Sequence, residues 1–312
     1  MAAITAKLVK ELRDKTSAGM MDCKKALNES NGDMEAAIDW LRTKGIAKAD
    51  KKAGRVAAEG LVAVATQGTT GVLVEVNSET DFVSRNEGFQ TAVAQIASTA
   101  LSVDNTEALR EAQIDGKSVT TFLTDLVAKI GENMSLRRME KLSVSAGVVE
   151  GYIHNSAAPG MGRIGVLVAL ESKGDTDKLN ALAKKIAMHI AATSPLALTT
   201  DDLDQDLVAK ERKALKDEAL ESGKPEAIVD KMVEGRMVKF FKESVLMTQM
   251  FVMDPDHNVE TIIANEAKAL GADIKMTGYV RMEVGDGIEK KEENFAAEVA
   301  AAVKESDKDS DK

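Results

Sequence analysis

The residues able to do chemistry are few and scattered. Three histidines, His154, His189 and His257, stand far apart, and Cys23 is the single cysteine. That excludes an internal disulfide and a multi-cysteine zinc site, and it fits a reducing, cytoplasmic setting. It also leaves little for histidine-based acid–base work. Gly160-Met161-Gly162-Arg163-Ile164-Gly165 satisfies G-x-G-x-x-G. A dinucleotide fingerprint, however, follows a strand and opens a helix, so that backbone N–H groups meet the pyrophosphate. Here the glycines lead into a Val-rich strand, which reads as a hairpin loop. Asp254, Asp256 and Asn258 open like a calcium loop, but Val259 and Asn265 stand where glycine and glutamate are needed. Asp202, Asp204 and Asp206 fail likewise at Leu207 and Lys213 and read as the acidic start of a helix. No phosphate loop, His-Glu-x-x-His or nucleophile elbow occurs. An enzyme reading therefore lacks a constellation, and no cofactor or metal site is expected.

One segment keeps a functional reading. Thr80-Asp81-Phe82-Val83 lies in a connector between a strand and a helix. Phe82 either tucks into the local core or enters a partner's pocket as a wedge, with the Asp81 carboxylate beside it.

The elements that must position this segment follow from pattern. Hydrophobic residues make up 44% and charged residues 29% of 312, a soluble globular composition with enough apolar content for a core. Net charge of −10 argues against direct nucleic-acid binding. Lys7, Lys10, Glu11 and Arg13 interrupt any apolar leader, and no stretch reaches the ~18 apolar residues of a membrane span. The first ~50 residues read as three short helices, the third capped by Asp33 and ended by Gly45. Lys44–Arg55 reads as a basic linker, either helical or irregular, and as a solvated connector in preference to a nucleic-acid contact.

An internal repeat comes next. Gly71–Val76 matches Gly165–Leu170, 94 residues on, and the same offset carries Ile96-Ala97 onto Ile190-Ala191. Each copy reads as strand, loop, strand, connector, helix. The second copy's connector, Gly174-Asp175-Thr176-Asp177, has no aromatic. Met134–Val144 reads as a strand whose Arg137-Arg138 pair is a solvated edge. Asp201–Ser222 and Pro225–Met247 read as an antiparallel helical hairpin joined by Gly223-Lys224-Pro225. A helix (Val259–Leu270) and a strand (Ile274–Val284) bring the chain back, and an amphipathic helix (Glu292–Val303) precedes a charged tail. The predicted fold is α+β: 1–54, a three-helix docking domain and linker; 55–146, core subdomain 1; 147–290, core subdomain 2 with the hairpin inserted at about 195–247; 291–312, a C-terminal helix and tail.

Leu8-Val9-Lys10-Glu11-Leu12-Arg13 through Ser17-Ala18-Gly19-Met20-Met21-Asp22-Cys23-Lys24-Lys25-Ala26-Leu27, and Glu75-Val76-Asn77-Ser78-Glu79-Thr80-Asp81-Phe82-Val83, resemble the two signatures of the bacterial translation elongation factor Ts family. Lys129-Ile130-Gly131-Glu132-Asn133, Met188-His189-Ile190-Ala191-Ala192 and Glu283–Glu289 resemble it further. Ser78 stands where the family often has Cys, and Asn155–Gly162 reads as a longer loop than in compact members. The resemblance implies a guanine-nucleotide exchange factor for elongation factor Tu, with a ubiquitin-associated-like N-terminal domain. It implies that Thr80–Val83 dislodges the partner's Mg²⁺, that Arg13, Met20 and Met21 face the partner's nucleotide domain, and that His154 contacts another partner domain. For the methionines a place in the small helical core, and for His154 a structural role, stand as alternatives. A docking scaffold without exchange activity is the rival from another class.

Overall fold

Apolar spacing builds the first unit. Val9 and Leu12 of α1 (Ala6–Thr16), Cys23, Ala26 and Leu27 of α2 (Met20–Glu29) and Ala37 of α3 (Met34–Lys52) bury one another. The Asp33 carboxylate accepts the Ala36 N–H at 2.8 Å and caps α3 as expected. The computed structural model describes residues 4–16, 18–221 and 226–289. Gly45 does not end α3, which continues to Lys52. A Cβ on Gly45 would lie 3.0 Å from the Ala128 Cβ, so the glycine permits close approach of α3 to a later helix, Val119–Ile130. The linker from Lys44 is therefore helical as far as Lys52, and Gly45, Ala49 and Lys52 attach it to the first repeat, while Lys44, Lys51 and Arg55 stay exposed. Ala49 rests on the first core cluster, and the Lys52 ammonium donates to the Gly131 carbonyl.

The first repeat is the hairpin β1 (Glu59–Gln67)–β2 (Thr70–Ser78), the one-turn helix α4 (Asp81–Ser84) and α5 (Glu87–Ala100). α6 (Thr106–Glu111), the two-residue pair β3 (Gln113–Ile114) and β4 (Lys117–Ser118), and α7 (Val119–Ile130) lead to β5 (Met134–Ser143), which pairs with β2. The second repeat is β6 (Gly147–Ala158), β7 (Met161–Ser172) and α8 (Thr176–Thr193). The helical hairpin α9 (Gln205–Glu221)–α10 (Glu226–Ser244) comes after it, then β8 (Met250–Phe251), β9 (Asp254–Asn258), α11 (Val259–Leu270) and β10 (Ile274–Glu283). The sequence reading missed α6, β3, β4, β8 and β9, which are too short to carry a period. The predicted Gly223-Lys224-Pro225 joint and the C-terminal helix, Glu292–Val303, lie outside the described residues.

Strand order is β10–β7–β1–β2–β5, with β6 on the other edge of β7. β1 takes only Met161 and Gly162 of β7, and β10 takes Ile164–Ser172. The two hairpins cross face to face over a shared core that includes Val62, Leu73, Val149 and Leu167. α5 and α7 cover the outer face of the first and α8 and α11 that of the second. The crossing is reciprocal. A Cβ on Gly71 would stand 3.0 Å from Leu167 Cδ2, and one on Gly165 would stand 2.8 Å from Leu73 Cδ2. Both pairs carry the 94-residue offset, so the repeats pack about a local two-fold. The sheets interlock where each copy lacks a side chain.

Asn155–Gly162 is not a lengthened loop. β6 and β7 stay paired out to Ala158 and Met161, across a bulge, and only Pro159 and Gly160 turn. The G-x-G-x-x-G pattern thus receives a structural account. Gly160 turns with φ +72°, Gly162 would place a Cβ 2.6 Å from the Asn155 carbonyl oxygen, and Gly165 sits at the sheet crossing.

α9 and α10 bury Leu215, Ala219, Val229, Val233 and Met237 against each other. Lys216–Asp230 (3.7 Å) and Arg236–Glu218 (2.8 Å) cross between them. Leu207, Leu220 and Ile228, although at apolar spacing on these helices, are exposed. The Tyr279 hydroxyl of β10 donates to the Pro195 carbonyl at 2.8 Å and anchors the hairpin's entry. Burial and the Asp202 charge push that phenol up to about 12.

His189 ties α8 to the hairpin's exit. Its Nδ1 accepts the Val252 N–H at 3.2 Å, so the proton sits on Nε2 and points to Gln249 Oε1 at 2.9 Å. Burial pushes the imidazole below its ordinary 6.5, and the Gln249 bond only partly opposes this. The unfolded chain therefore binds the proton more readily. Stability should be constant above pH ~6.5 and fall below it, with a slope of at most about 1.4 kcal/mol per pH unit. Urea titrations between pH 7.5 and 5.5 should show this slope, and His189→Gln should flatten it.

Candidate functional site

β2 ends at Ser78, and the chain turns outward at once. Thr80 is extended and precedes α4, whose four residues are too few to hold a helix alone. Three attachments hold it. Val83 is buried in the first core cluster. The Gln90 amide donates to the Ser84 carbonyl at 2.9 Å, and the Ser78 hydroxyl donates to the Thr80 carbonyl at 3.0 Å. Between them Phe82 faces out, 74% exposed, which excludes the reading in which it tucks into the core. Asp81 is exposed too and lies 3.6 Å from Arg85. The four residues thus divide: Asp81 and Phe82 are presented, while Thr80 and Val83 are held. The matching connector of the second repeat only caps a helix, Asp175 accepting the Lys178 N–H at 3.0 Å.

A second group fastens the end of β2. The Glu132 carboxylate accepts the Thr80 N–H at 2.9 Å and its hydroxyl at 2.8 Å. In return the Glu79 carboxylate accepts the Asn133 N–H at 2.6 Å, and Arg55 at 3.2 Å. Below this lies Glu75, with 0% exposure. It accepts from the Gly285 N–H (2.8 Å), the Asn77 amide (3.0 Å), Arg137 Nη1 (3.0 Å) and Arg138 Nε (2.6 Å). Burial alone would raise its pKa. The donors outweigh burial and hold the carboxyl below its ordinary 4.5. Arg137 and Arg138 are therefore ion-pair partners, not a solvated edge. The reason is local: the β2–β5 register shifts between Glu75 and Val76, so Arg137 is the extra residue of a bulge and both arginines reach one side.

The remaining candidates stand on other elements. Met20 and Met21, 58% and 76% exposed, are not core residues of the helical unit. Arg13 is exposed on α1. His154 is exposed near the end of β6, its Nδ1 3.1 Å from the Tyr152 hydroxyl. Among the described residues, no hydrogen bond or ion pair joins these four to the 80–83 turn, and no cluster of three metal-binding side chains exists. They form separate exposed positions on one body. Met250, Val252 and Met253 around the β8–β9 turn add an apolar exposure that sequence reasoning missed.

A family model described as Elongation factor TS matches residues 79–286. Elongation factor Ts of Sphingopyxis alaskensis is 59% identical over 97% of this chain and 99% of its own length. That of Brucella anthropi is 57% identical over the same shares, and that of Brucella ovis 56%. The chain belongs to the elongation factor Ts family. Membership places it among translation elongation factors.

Glu75, Glu79 and Glu132 were invisible as a group in the sequence because pairing, not spacing, brings them together. Glu75→Ala should cost about 2–3 kcal/mol, below the 3–5 kcal/mol of a fully buried pair because both arginines reach solvent. Urea unfolding measures this. The Glu75 contribution is intact above pH 4.5 and is lost as pH falls through the lowered folded value, a window separate from that of His189.

Proposed function

We propose that this protein is a cytoplasmic guanine-nucleotide exchange factor. It binds elongation factor Tu in its GDP form, dislodges Mg²⁺ and promotes GDP release so that GTP can bind. Family membership supports the partner. The observation that carries the mechanism is Phe82, displayed on a turn whose neighbours on both sides are fixed. No covalent chemistry is needed. The factor weakens GDP as much as GDP weakens the factor. A protein binding both partner states equally would shift nothing.

Magnitudes assign the roles. Burying one phenylalanine ring yields about 1.5–3 kcal/mol. A thousandfold acceleration of release needs about 4 kcal/mol. Phe82 alone falls short of that. Asp81 adds a carboxylate beside the partner's Mg²⁺ and phosphates, and an under-neutralised diphosphate leaves faster. Arg13, Met20 and Met21 dock the three-helix domain (1–54) on the nucleotide domain, and His154 docks the core, subdomains 55–146 and 147–290, on another. Their binding keeps the turn seated while GDP departs. Mg²⁺ and nucleotide belong to the partner.

Release of fluorescent GDP from elongation factor Tu tests this. The unaltered chain should accelerate release strongly. Asp81→Ala/Phe82→Ala should lose about tenfold or more of that acceleration while the complex with nucleotide-free partner persists. Binding without acceleration by the unaltered chain would leave only a docking scaffold. Acceleration untouched by the double variant would move the active surface to Arg13, Met20 and His154.

A further inference from the structure

We propose that Glu132 is a positioning residue for nucleotide exchange, acting through Thr80 to fix the attitude at which Asp81 and Phe82 are presented. This role rests on the exchange reading and adds to it a residue that touches neither nucleotide nor metal.

The geometry is specific. Gly131, with φ +91°, ends α7 and turns the chain so that Glu132 faces the end of β2. One carboxylate then takes both donors of Thr80: the N–H on Oε2 at 2.9 Å, and the hydroxyl on Oε1 at 2.8 Å and Oε2 at 3.0 Å. A threonine at a helix N-cap ordinarily turns its oxygen toward the N–H groups of the first turn. Thr80 does not cap α4. It directs its hydroxyl to Glu132 instead, so α4 forgoes local support in favour of a tether to a residue 52 positions away.

The turn needs holding at both ends. Val83 and the Gln90–Ser84 bond seat its C-terminal end, while at its N-terminal end the Ser78 hydroxyl holds only the Thr80 carbonyl and leaves the Thr80 N–H and side chain to be fixed. Glu132 fixes both, and Phe82 lies between the two ends. Glu132 is itself held. Its neighbour Asn133 donates its N–H to Glu79 and its side-chain amide to the Arg55 carbonyl at 2.8 Å, and Lys52 donates to the Gly131 carbonyl. Lys52 and Arg55 end and follow α3, so the bracket 131–133 also ties the three-helix unit to the turn.

Glu132→Ala tests the proposal in the full-length chain, because it removes both acceptors of Thr80. Glutamine would not, since its amide oxygen can accept the Thr80 N–H while its N–H₂ group donates to the hydroxyl oxygen. GDP release from elongation factor Tu is measured over a range of exchange-factor concentrations, with melting curves for each variant. The maximal release rate should fall about tenfold while the half-saturating concentration changes less than about threefold. In a Phe82→Ala background, Glu132→Ala should change the maximal rate less than about twofold, because the ring it positions is gone. Thr80→Val, which removes only the hydroxyl, should give an intermediate loss and keeps the test valid if Glu132→Ala fails to fold. A maximal rate unchanged in Glu132→Ala overturns the proposal and leaves the exchange reading standing. So does an equal loss in both backgrounds, or a loss confined to half-saturation. No acceleration by the unaltered chain overturns both together.

Discussion

A carboxylate with no exposure to water must be matched by donors from whatever surrounds it, and Glu75 collects them from three places. Asn77 is its neighbour on β2, Arg137 and Arg138 come from β5, and the Gly285 N–H comes from the far end of the chain. Stripping a buried charge of its partners is among the costliest local changes a fold can suffer. The arrangement therefore dictates more than a contact. It requires the bulge in β5, because regular alternation would send one arginine to the opposite face. It requires β10 to end where Gly285 can reach the first repeat. The chain's return and the end of β2 are set by the same group.

The turn beyond β2 depends on that end being fixed. Glu79 and Glu132 exchange backbone donors close to Asn77 and across from it, and Ser78 holds the Thr80 carbonyl. Serine serves this purpose as a short hydroxyl donor in a buried position. The result is an exposed aromatic ring on backbone that has little freedom. Exposed apolar side chains are ordinary, but one flanked by a buried valine and a doubly bonded threonine is not at the surface through want of packing.

The elements with a strong period were legible in the sequence. The repeat emerged from Gly71 and Gly165, and the same two residues prove to be where the hairpins cross. The Phe82 connector stood out because its counterpart around Asp175 lacks an aromatic. Whether Phe82 points in or out could not be read, since both fates suit the residue type. Gly45 misled because a helix-ending glycine and a helix-crossing glycine look alike until the opposing Ala128 is known. Arg137 and Arg138 misled because a bulge has no period. The glutamates were missed since each looks solvated alone, and only the β2–β5 register reveals their partners.

The duplication clarifies why an anchored turn suits this site. Both copies share hairpin, crossing glycine and covering helix, yet only the first carries the aromatic and the Glu132 tether. The second connector is satisfied by an Asp cap, a local device that needs nothing from elsewhere in the chain. Fixing one residue's backbone costs about 1–2 kcal/mol. If Asp81, Phe82 and Val83 were ordered only on binding, that cost would cancel the 1.5–3 kcal/mol or so that burying the ring can yield. With the turn ordered beforehand, folding has already met that cost and the ring's burial remains available to distinguish one partner state from another. On the proposed exchange role, the distant carboxylate belongs to the wedge as the ring does: it reserves the ring's burial for the partner state from which GDP departs, so its loss would lower the rate of release more than the docking that Arg13, Met20 and Met21 supply.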